Sequence, residues 1–484
     1  MPATPLPLPR NRSAHTVPHP APRPAPHPAA HLAPHLAPLA APHAVPPGGT
    51  GRRRPVDAVV VGSGLAGLAA ARRIADAGLS VTVLEAADRI GGRMAGQQRD
   101  GFRLDHGTHL LNDAVPELRD LLDVSRLELR PVVPDVLMNR QGYRNRAGGA
   151  WNRARLGAAL ARLAATPAER LMDRPERTAA QALAERGFLG LPLAGSLAGS
   201  LAGRQLAGAP PEGFLRPLLV ALLGDPALGT SSRVADLALR DYARGRLCLP
   251  AQGVAAVPRQ LAESLPPGTV RLGVRVTSVS ADGVETERHG RIGCRAVVIA
   301  TDARAAGDLL PGLHQPDHHP VTTYYHAAPE PSCPESAGPE PQLLLDPERD
   351  GLVAHTLVLS QVDRSYAPSG ASLIATTVLG RRSFDAGGPA SLEPAVRRRL
   401  AVLYGADSSD WEFLAVRHLA DALPAMPPPH HFRRPVRVLH GLYVCGDHRE
   451  TSSAAGALGS GRRAAAAVLR DLGVPIDPSA DLAA

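Results

Sequence analysis

The spacing of hydrophobic and polar residues changes along the chain, and each change predicts a different element. VDAVVV (56–61) is a short apolar run that predicts a buried strand, and GLAGLAAARRIADAG (64–78) carries Ala and Leu on one helical face. SVTVLEA (80–86) has the pattern of a second strand. Together, the three segments predict one βαβ unit.

Helical and strand-like segments then follow in blocks. Residues 151–245 have a mostly helical pattern, and LAGSLAGSLAG (193–203) inside them is a short repeat typical of a flexible or marginal helix. Strand patterns return at 269–301, with a turn at Ala281-Asp282-Gly283. Strand material that returns after helical segments predicts a nucleotide-binding domain assembled from separated pieces.

The last part of the chain predicts a second sheet and a closing strand–helix pair. TTYYHAA (322–328), GLVAHTLVLSQV (351–362) and ASLIATTVLG (371–380) have strand patterns. GLYVCGD (441–447) predicts one more strand, and a helix is expected from about 453 to 469.

The composition predicts more than one domain. The chain has 484 residues with 44% hydrophobic content, which is more than a single hydrophobic core usually organises. Residues 1–50 consist mostly of Pro, Ala and His without an acidic residue. Because such a segment buries too little apolar surface to offset its ordering entropy, we expect residues 1–54 to be a disordered tail.

Charge and cysteine usage exclude several functions. The formal net charge is +8, but residues 1–54 contain six Arg and no acid, so the remainder is nearly neutral and nucleic acid is not expected as a partner. The four Cys are far apart, which predicts neither a disulfide framework nor a zinc site and favours a cytoplasmic location. No apolar run is long enough for a membrane-spanning helix, and peripheral membrane contact stays open.

GSGLAG (62–67) is the first segment that carries chemistry. A Gly-rich turn is a weak signal alone, but this one follows a strand and opens a helix. Gly62 permits a tight turn, Gly64 lets the backbone approach a pyrophosphate, and Gly67 allows close contact between helix and strand. Glu85 ends the second strand, where its carboxylate suits ribose hydroxyls and disfavours NADP, or else is simply a solvent-exposed acid.

Two further small-residue segments favour FAD over NAD. RIGGR (89–93) adds a Gly pair and an Arg near the phosphate turn, and LDHGTHLL (104–111) supplies another point of close approach. A cofactor whose ring system continues beyond the pyrophosphate has a use for both segments, whereas NAD does not.

With these segments the sequence resembles the flavin-containing amine oxidase superfamily, which includes protoporphyrinogen oxidases and plant-type carotenoid desaturases. The resemblance rests on GSGLAG, on EAADRIGGR (85–93), on DHGTHLL (105–111) and on the closing run GLYVCGDHRETSSAAGALGSGRRAAAAVL (441–469). It covers about residues 56–472 and implies FAD as the cofactor. Because no motif resembles the usual covalent-flavin cysteine site and Cys445 is expected on the pyrophosphate side, we expect the FAD to be bound non-covalently.

The resemblance also implies roles for particular residues. In relatives, the Asp of the Gly-Asp pair meets the ribityl or pyrophosphate part of FAD, and the next helix begins near the flavin's pyrimidine edge. A later strand grips adenine, and the loop 107–109 runs past the isoalloxazine ring. The expected cofactor-binding residues are therefore Gly62, Ser63, Gly64, Leu65, Ala66, Gly67, Glu85, Ala86, Gly92, Arg93, Gly107, Thr108, His109, Val276, Gly446, Asp447, Ser453 and Ala454.

The chain departs from amine-oxidising relatives in two ways. Many of them carry a Lys that holds a water near flavin N5, and this chain contains no Lys. They also tend to place an aromatic pair around the amine, where the closing motif here supplies Cys445 and His448. Together with the apolar FLRPLLVALL (214–223), these departures favour a lipophilic substrate.

Catalytic residues stay open at this point. His109 could face the substrate or pack structurally, and Tyr325 could line the cavity or belong to the core. Because the flavin itself accepts the hydride, no protein base is required. No metal site is expected.

The sequence thus predicts an α/β fold with a discontinuous Rossmann-like FAD-binding domain (55–125, 240–310 and 435–475). An inserted substrate domain of mixed sheet plus helices is expected from 126–239 and 311–434, with a flexible end at 476–484. The expected function is FAD-dependent desaturation or dehydrogenation of an apolar substrate, isoprenoid-like or tetrapyrrole-like, by hydride transfer to flavin, with oxygen or a quinone as electron acceptor. An amine oxidase, and a flavin-binding protein without turnover, are the alternatives.

Overall fold

The computed structural model describes residues 56–107, 109–140, 143–146, 150–185, 212–330, 340–348, 351–382, 384 and 386–475. The predicted tail (1–54), the repeat at 193–203, Thr108 and the C-terminal end (476–484) lie outside the described residues.

Strands and helices are numbered here along the chain. The strands are β1 (Val56–Val61), β2 (Val81–Leu84), β3 (Gly96–Arg99), β4 (Phe102–Asp105), β5 (Leu111–Asn112), β6 (Leu129–Asp135), β7 (Leu137–Arg140), β8 (Tyr143–Arg146), β9 (Leu247–Pro250), β10 (Val270–Arg271), β11 (Val276–Ser280), β12 (Gly283–Thr286), β13 (Gly290–Ile299), β14 (His318–Pro329), β15 (Gln342–Leu345), β16 (His355–Val358), β17 (Ala371–Leu379), β18 (Glu412–Pro424), β19 (Arg437–Leu439) and β20 (Leu442–Val444). The helices are α1 (Leu65–Asp76), α2 (Pro116–Leu121), α3 (Val124–Leu127), α4 (Ala150–Ala165), α5 (Ala168–Met172), α6 (Ala179–Ala184), α7 (Glu212–Leu223), α8 (Ser232–Arg244), α9 (Ala256–Glu263), α10 (Ala303–Leu309), α11 (Leu359–Val362), α12 (Glu393–Tyr404) and α13 (Ala454–Asp471).

The first sheet is built from segments that are far apart in sequence. Its parallel part has the order β10-β2-β1-β13-β20, and β12, β11 and β19 add antiparallel pairs. Both faces of β1 are buried, which accounts for its uninterrupted apolar sequence. The carboxyl ends of β1, β2, β13 and β20 consequently meet at one edge.

Small residues let α1 and α13 pack closely over this sheet. A Cβ added at Gly461 would overlap the carbonyl oxygen of Ala66, so the two helices approach each other at a distance that only glycine permits. Most alanines of both helices belong to one apolar cluster with Ala58 and Val60 of β1. The Ala- and Gly-rich sequence of α13 is therefore explained by helix–helix contact.

The second sheet has the order β18-β14-β17-β16-β15-β6-β9-β5. Its outer face packs on α12 through Val396 and Leu400. Its inner face, with Tyr325, Leu357 and Ala375, belongs to the same apolar cluster as α1 and α7.

Most of the predicted elements are confirmed, with two differences in the second sheet. The βαβ unit, the strands around the turn at 281–283 and the closing strand–helix pair are present. GLVAHTLVLSQV is not a single strand, because β16 ends at Val358 and α11 follows. In addition, β5 and β9, from segments assigned to the FAD-binding domain, pair within the second sheet.

Candidate functional site

The turn after β1 has the geometry that the motif predicts. Gly62 has a φ of 106°, in the left-handed region that favours glycine, and an added Cβ would lie 2.9 Å from the carbonyl oxygen of Ala300. A Cβ at Gly67 would overlap the carbonyl oxygen of Gly62. At Gly64, by contrast, a Cβ would meet no atom within 4 Å. Gly64 therefore borders open space, where a ligand can approach the backbone.

The helix that follows this turn has an uncapped N-terminus. Gly64 is the N-cap of α1, no side chain accepts a hydrogen bond there, and the first turn contains no acidic residue. The first N–H groups of a helix lack intrahelical partners, and the helix dipole favours an anion at this end. A pyrophosphate fits both features.

Glu85 lies directly beside the glycine turn. Its Oε2 accepts hydrogen bonds from the backbone N–H and the hydroxyl of Ser63, both at 2.8 Å, and its Oε1 accepts one from the N–H of Ala87 at 2.9 Å. Ala86 next to it is exposed. The carboxylate is thus held in place at the end of β2, where the motif predicts a ribose partner.

The backbone that precedes Val276 reaches the same place. The N–H of Val274 donates to the carbonyl oxygen of Glu85 at 2.8 Å, and the N–H of Gly273 donates to that of Ala87 at 2.9 Å. Val276 itself is partly buried at the start of β11. The segment expected to grip adenine is therefore adjacent to the residue expected to bind ribose.

The second glycine pair packs on the first. The N–H of Gly91 donates to the carbonyl oxygen of Ser63 at 3.0 Å, and a Cβ at Gly92 would lie 3.7 Å from the Cα of Gly64. Arg93 follows and donates from Nη1 to the carbonyl oxygen of Ala422 at 2.6 Å. The RIGGR segment thus connects the phosphate turn to β18 of the second sheet.

Arg93 also reaches the closing motif. Its Nη1 and Nη2 donate to Oδ2 and Oδ1 of Asp447 at 2.6 and 2.7 Å. Burial alone would raise the pKa of Asp447, but the charge and hydrogen bonds of Arg93 outweigh it and hold that pKa below its usual value. Asp447 is therefore an anion at neutral pH, fixed by a cation.

The closing motif is held against α13. The N–H of Gly446 donates to Oγ of Ser460 at 2.9 Å. Ser453 caps α13, because its side chain accepts from the N–H of Gly456 at 3.0 Å, and Ala454 is the first helical residue. Gly446, Asp447, Ser453 and Ala454 are thus part of one strand–turn–helix unit.

The chain around the end of β4 is tied to the RIGGR segment and to the second sheet. His109 donates from Nε2 to the carbonyl oxygen of Arg93 at 2.8 Å, and a Cβ at Gly107 would lie 3.3 Å from that Nε2. Burial, and then the Arg93 charge, lower the pKa of His109 to about 4, so its imidazole is neutral at pH 7. Tyr325 of β14 donates its hydroxyl to the carbonyl oxygen of Asp105 at 2.7 Å. In both catalytic candidates, His109 and Tyr325, one polar side-chain group is therefore hydrogen-bonded to a backbone carbonyl oxygen.

His448 and the residues after β13 were missing from the predicted set. His448 is buried against Gly446, and neither of its ring nitrogens has a hydrogen-bond partner in the described residues. Burial lowers its pKa to about 4. Thr301 and Asp302 follow β13 at the same sheet edge; a Cβ at Gly62 would lie 3.3 Å from the backbone N of Thr301, and Asp302 caps α10. The parallel arrangement of β1 and β13 could have indicated them, since VVIATD ends a buried strand beside the glycine turn.

The described residues form neither a metal site nor a helix that could cross a membrane, and their thiols are buried. Within those residues, no group of three or more His, Cys, Asp or Glu side chains is placed to hold a metal ion. Cys248, Cys294 and Cys445 are buried free thiols, and burial raises the pKa of Cys445 to about 12. None of the described helices is both long and apolar enough to cross a bilayer.

Comparison with known proteins gives one family. The family model described as flavin containing amine oxidoreductase matches residues 65–469. Hydroxysqualene dehydroxylase of Rhodopseudomonas palustris is 28% identical over 446 residues, which are 85% of this chain and 97% of that protein. Protoporphyrinogen oxidase 2 of Arabidopsis thaliana is 38% identical over only 86 residues, 18% of this chain and 17% of that protein. That match therefore spans less than a fifth of the relative.

Solved structures share the fold. Cyclohexylamine oxidase from Brevibacterium oxydans has a TM-score of 0.60 at 19% identity, with 87% of this chain and 100% of that chain covered. An oxidoreductase from Methanosarcina mazei has a TM-score of 0.63 at 17% identity, with 86% and 100% covered.

Proposed function

The chain belongs to the flavin containing amine oxidoreductase family, and we propose that it is an FAD-dependent enzyme that desaturates or dehydrogenates an apolar organic substrate. The main support for FAD as the cofactor is the open space at Gly64, in front of the uncapped N-terminus of α1. FAD supplies a two-electron acceptor that amino-acid side chains lack.

The residues around that space suit the successive parts of FAD. In this proposal the turn 62–67 and the α1 amides hold the pyrophosphate, and Glu85 holds the ribose. Asp447 and the start of α13 hold the flavin end, with Arg93 fixing the position of Asp447. None of the described Cys is an exposed thiol near the loop 107–109, which supports non-covalent binding.

The apolar inner face of the second sheet supports an apolar substrate. Tyr325 and Arg93 bring this sheet against the loop after β4, and aliphatic residues such as Leu357 and Ala375 line part of the face. Transfer of an apolar molecule to such a face is favourable by roughly 25 cal/mol per Å² buried. The similarity to hydroxysqualene dehydroxylase over nearly its full length points to the isoprenoid class.

The protein's contribution in this scheme is binding, orientation and exclusion of water. His109 donates to the backbone carbonyl oxygen of Arg93 and Tyr325 to that of Asp105, so both act as positioning residues in this proposal. In the neutral imidazole of His109, Nε2 is the donor and Nδ1 is therefore an acceptor.

Anaerobic reduction of the flavin tests this proposal. A lipophilic compound such as an isoprenoid or a porphyrinogen, supplied in detergent or liposomes, is expected to bleach the flavin absorbance, while benzylamine and a polyamine leave it oxidised. Bleaching by an amine alone would favour an amine oxidase, the alternative that the family permits but that the absence of Lys disfavours. No bleaching by any compound would favour a flavin-binding protein without turnover.

Further parts of the proposal follow from a lipophilic substrate. We infer oxygen or a quinone as the acceptor that reoxidises the flavin, and peripheral membrane contact as the source of substrate. We also propose that the segments 55–125, 240–310 and 435–475 form the FAD-binding domain, since the parallel strands of the first sheet fall within them. The segments 126–239 and 311–434 then form the substrate domain.

A further inference from the structure

A row of polar residues crosses the inner face of the second sheet. Arg417 of β18 is paired in register with Thr323 of β14, Thr323 with Thr377 of β17, and Thr377 with His355 of β16. Residues paired in this way project from the same face of a sheet. The row spans four adjacent strands, about 14 Å at the usual strand spacing.

The neighbouring rows of this face are apolar. One of them contains Ala415, Tyr325, Ala375 and Leu357, which are paired in the same order across the same strands. The polar row is thus bordered on this side by residues of the main hydrophobic cluster, and on the other side by the apolar residues Leu419, Val321 and Leu379.

The polar atoms of the row lack partners within the described residues. Thr323, Thr377 and His355 are 1%, 3% and 5% exposed. Oγ1 of both threonines, both ring nitrogens of His355 and Nε of Arg417 are buried without a hydrogen-bond partner. Buried polar groups are nearly always hydrogen-bonded, because leaving them unpaired destabilises the fold. Several such atoms in one row indicate a ligand that supplies the missing partners.

One end of the row lies close to the candidate active site. Tyr325, two residues from Thr323, donates its hydroxyl to the carbonyl oxygen of Asp105, immediately before His106. The charge of Arg417 also adds to burial in lowering the pKa of His106. The Arg417 end of the row therefore lies near His106, next to the loop expected to run past the flavin.

We propose that this row binds the hydroxyl group of an otherwise apolar substrate, so that the protein takes an isoprenoid-type alcohol rather than a plain hydrocarbon. The inference rests on the proposed function and specifies its substrate. Threonine hydroxyls and a neutral imidazole can each donate and accept a hydrogen bond, as an alcohol does. A protonated amine would instead meet the cation of Arg417.

The test compares two probes of similar carbon skeleton, farnesol and farnesene, on the flavin-loaded full-length protein. Their dissociation constants are measured air-free from the change in the flavin absorption spectrum. Farnesol is expected to bind more tightly than farnesene, and Thr377→Val to weaken farnesol about tenfold without changing farnesene. Thr323→Val is a second, independent variant with the same expected result. Neither should lower the thermal midpoint, since each removes an unpaired hydroxyl.

Thr376→Val is the matched control. Thr376 is the next residue of the same strand, projects from the opposite face, and has its hydroxyl 3.1 Å from that of Thr356. This variant is expected to lower the thermal midpoint and to leave the ratio of farnesol to farnesene affinity unchanged.

The outcomes separate the two proposals. Equal binding of both probes, with no selective loss in the threonine variants, would overturn the proposal that the row binds a substrate hydroxyl group. Water would then be the hydrogen-bond partner of the row, and the proposed oxidation of an apolar substrate would still stand. Binding of neither probe would overturn the row and the isoprenoid assignment together. A selective loss of farnesol in both variants supports the row.

Discussion

Arg93 and Asp447 form a two-hydrogen-bond ion pair although 354 residues separate them in the chain, with N–O distances of 2.6 and 2.7 Å. Asp447 is 5% exposed and Arg93 is 31% exposed. The pair joins the RIGGR segment to the closing motif and, through the bond from Arg93 to Ala422, to the second sheet. One arginine therefore connects three parts of the candidate site.

Asp447→Ala is expected to lower the free energy of unfolding by roughly 3 kcal/mol, because it leaves a partly buried guanidinium without its counter-ion. Chemical denaturation of the full chain measures this loss. Asp421→Ala is the matched control, since Asp421 also accepts two hydrogen bonds from one arginine, Arg304, but that arginine is 65% exposed. The control should lose less than about 1 kcal/mol. Equal losses in the two variants would show that burial does not strengthen the first pair.

Two glycine substitutions should separate folding from cofactor binding. Gly64→Val adds a side chain in open space, so the thermal midpoint of the flavin-free protein should stay near the wild-type value while flavin binding is lost. Gly67→Ala brings a Cβ into the carbonyl oxygen of Gly62, so the flavin-free protein itself should be destabilised. Thermal melting and flavin content measure the two effects. Normal flavin content in Gly64→Val would contradict the assignment of the phosphate site.

The purified protein should be yellow, and acid precipitation should release all of its flavin. We expect FAD rather than FMN, since the turn 62–67 and Glu85 suit the AMP half of the dinucleotide. Chromatography of the supernatant identifies the flavin. Flavin that stays with the precipitate would indicate a covalent bond, and FMN would exclude the proposed ribose role of Glu85.

Asp105 should make stability depend on pH. Burial raises its pKa to about 7, from 3.8, although hydrogen bonds and the Arg103 charge oppose this. The folded state therefore favours the neutral acid, and the stabilisation present below about pH 4 is lost as the pH rises through 7. The difference between these two pKa values corresponds to a change of roughly 4 kcal/mol in the free energy of unfolding. Asp105→Asn should abolish this part of the decline in unfolding free energy between pH 5 and pH 8.

Asp57→Asn is the control for this titration. Burial raises the pKa of Asp57, but hydrogen bonds from Ser80 outweigh that effect and lower it below 3.8. Its contribution to stability is lost only as the pH falls through that lower value, so the slope between pH 5 and pH 8 should match the wild type. An unchanged slope in Asp105→Asn would show that this carboxyl group does not titrate in that range.

The sequence by itself determined the local units and the family. The run from Val56 to Glu85 has an apolar strand, a glycine turn and an Ala-rich helix whose spacing allows few other structures, and α1 and α13 lie within a few residues of their predicted bounds. These features depend on backbone conformations and periodicities within a short window, which the residues themselves specify.

Only the tertiary structure decided which distant residues meet. The pairing of Arg93 with Asp447, the position of His448 without a hydrogen-bond partner among the described residues, and the row from Arg417 to His355 depend on strand order and register. Register is fixed by how whole strands fit against one another, and a shift of one residue would turn every side chain to the other face. For the same reason the sequence could suggest Tyr325 as a cavity residue, while only the packed sheet directs its hydroxyl to the backbone of Asp105.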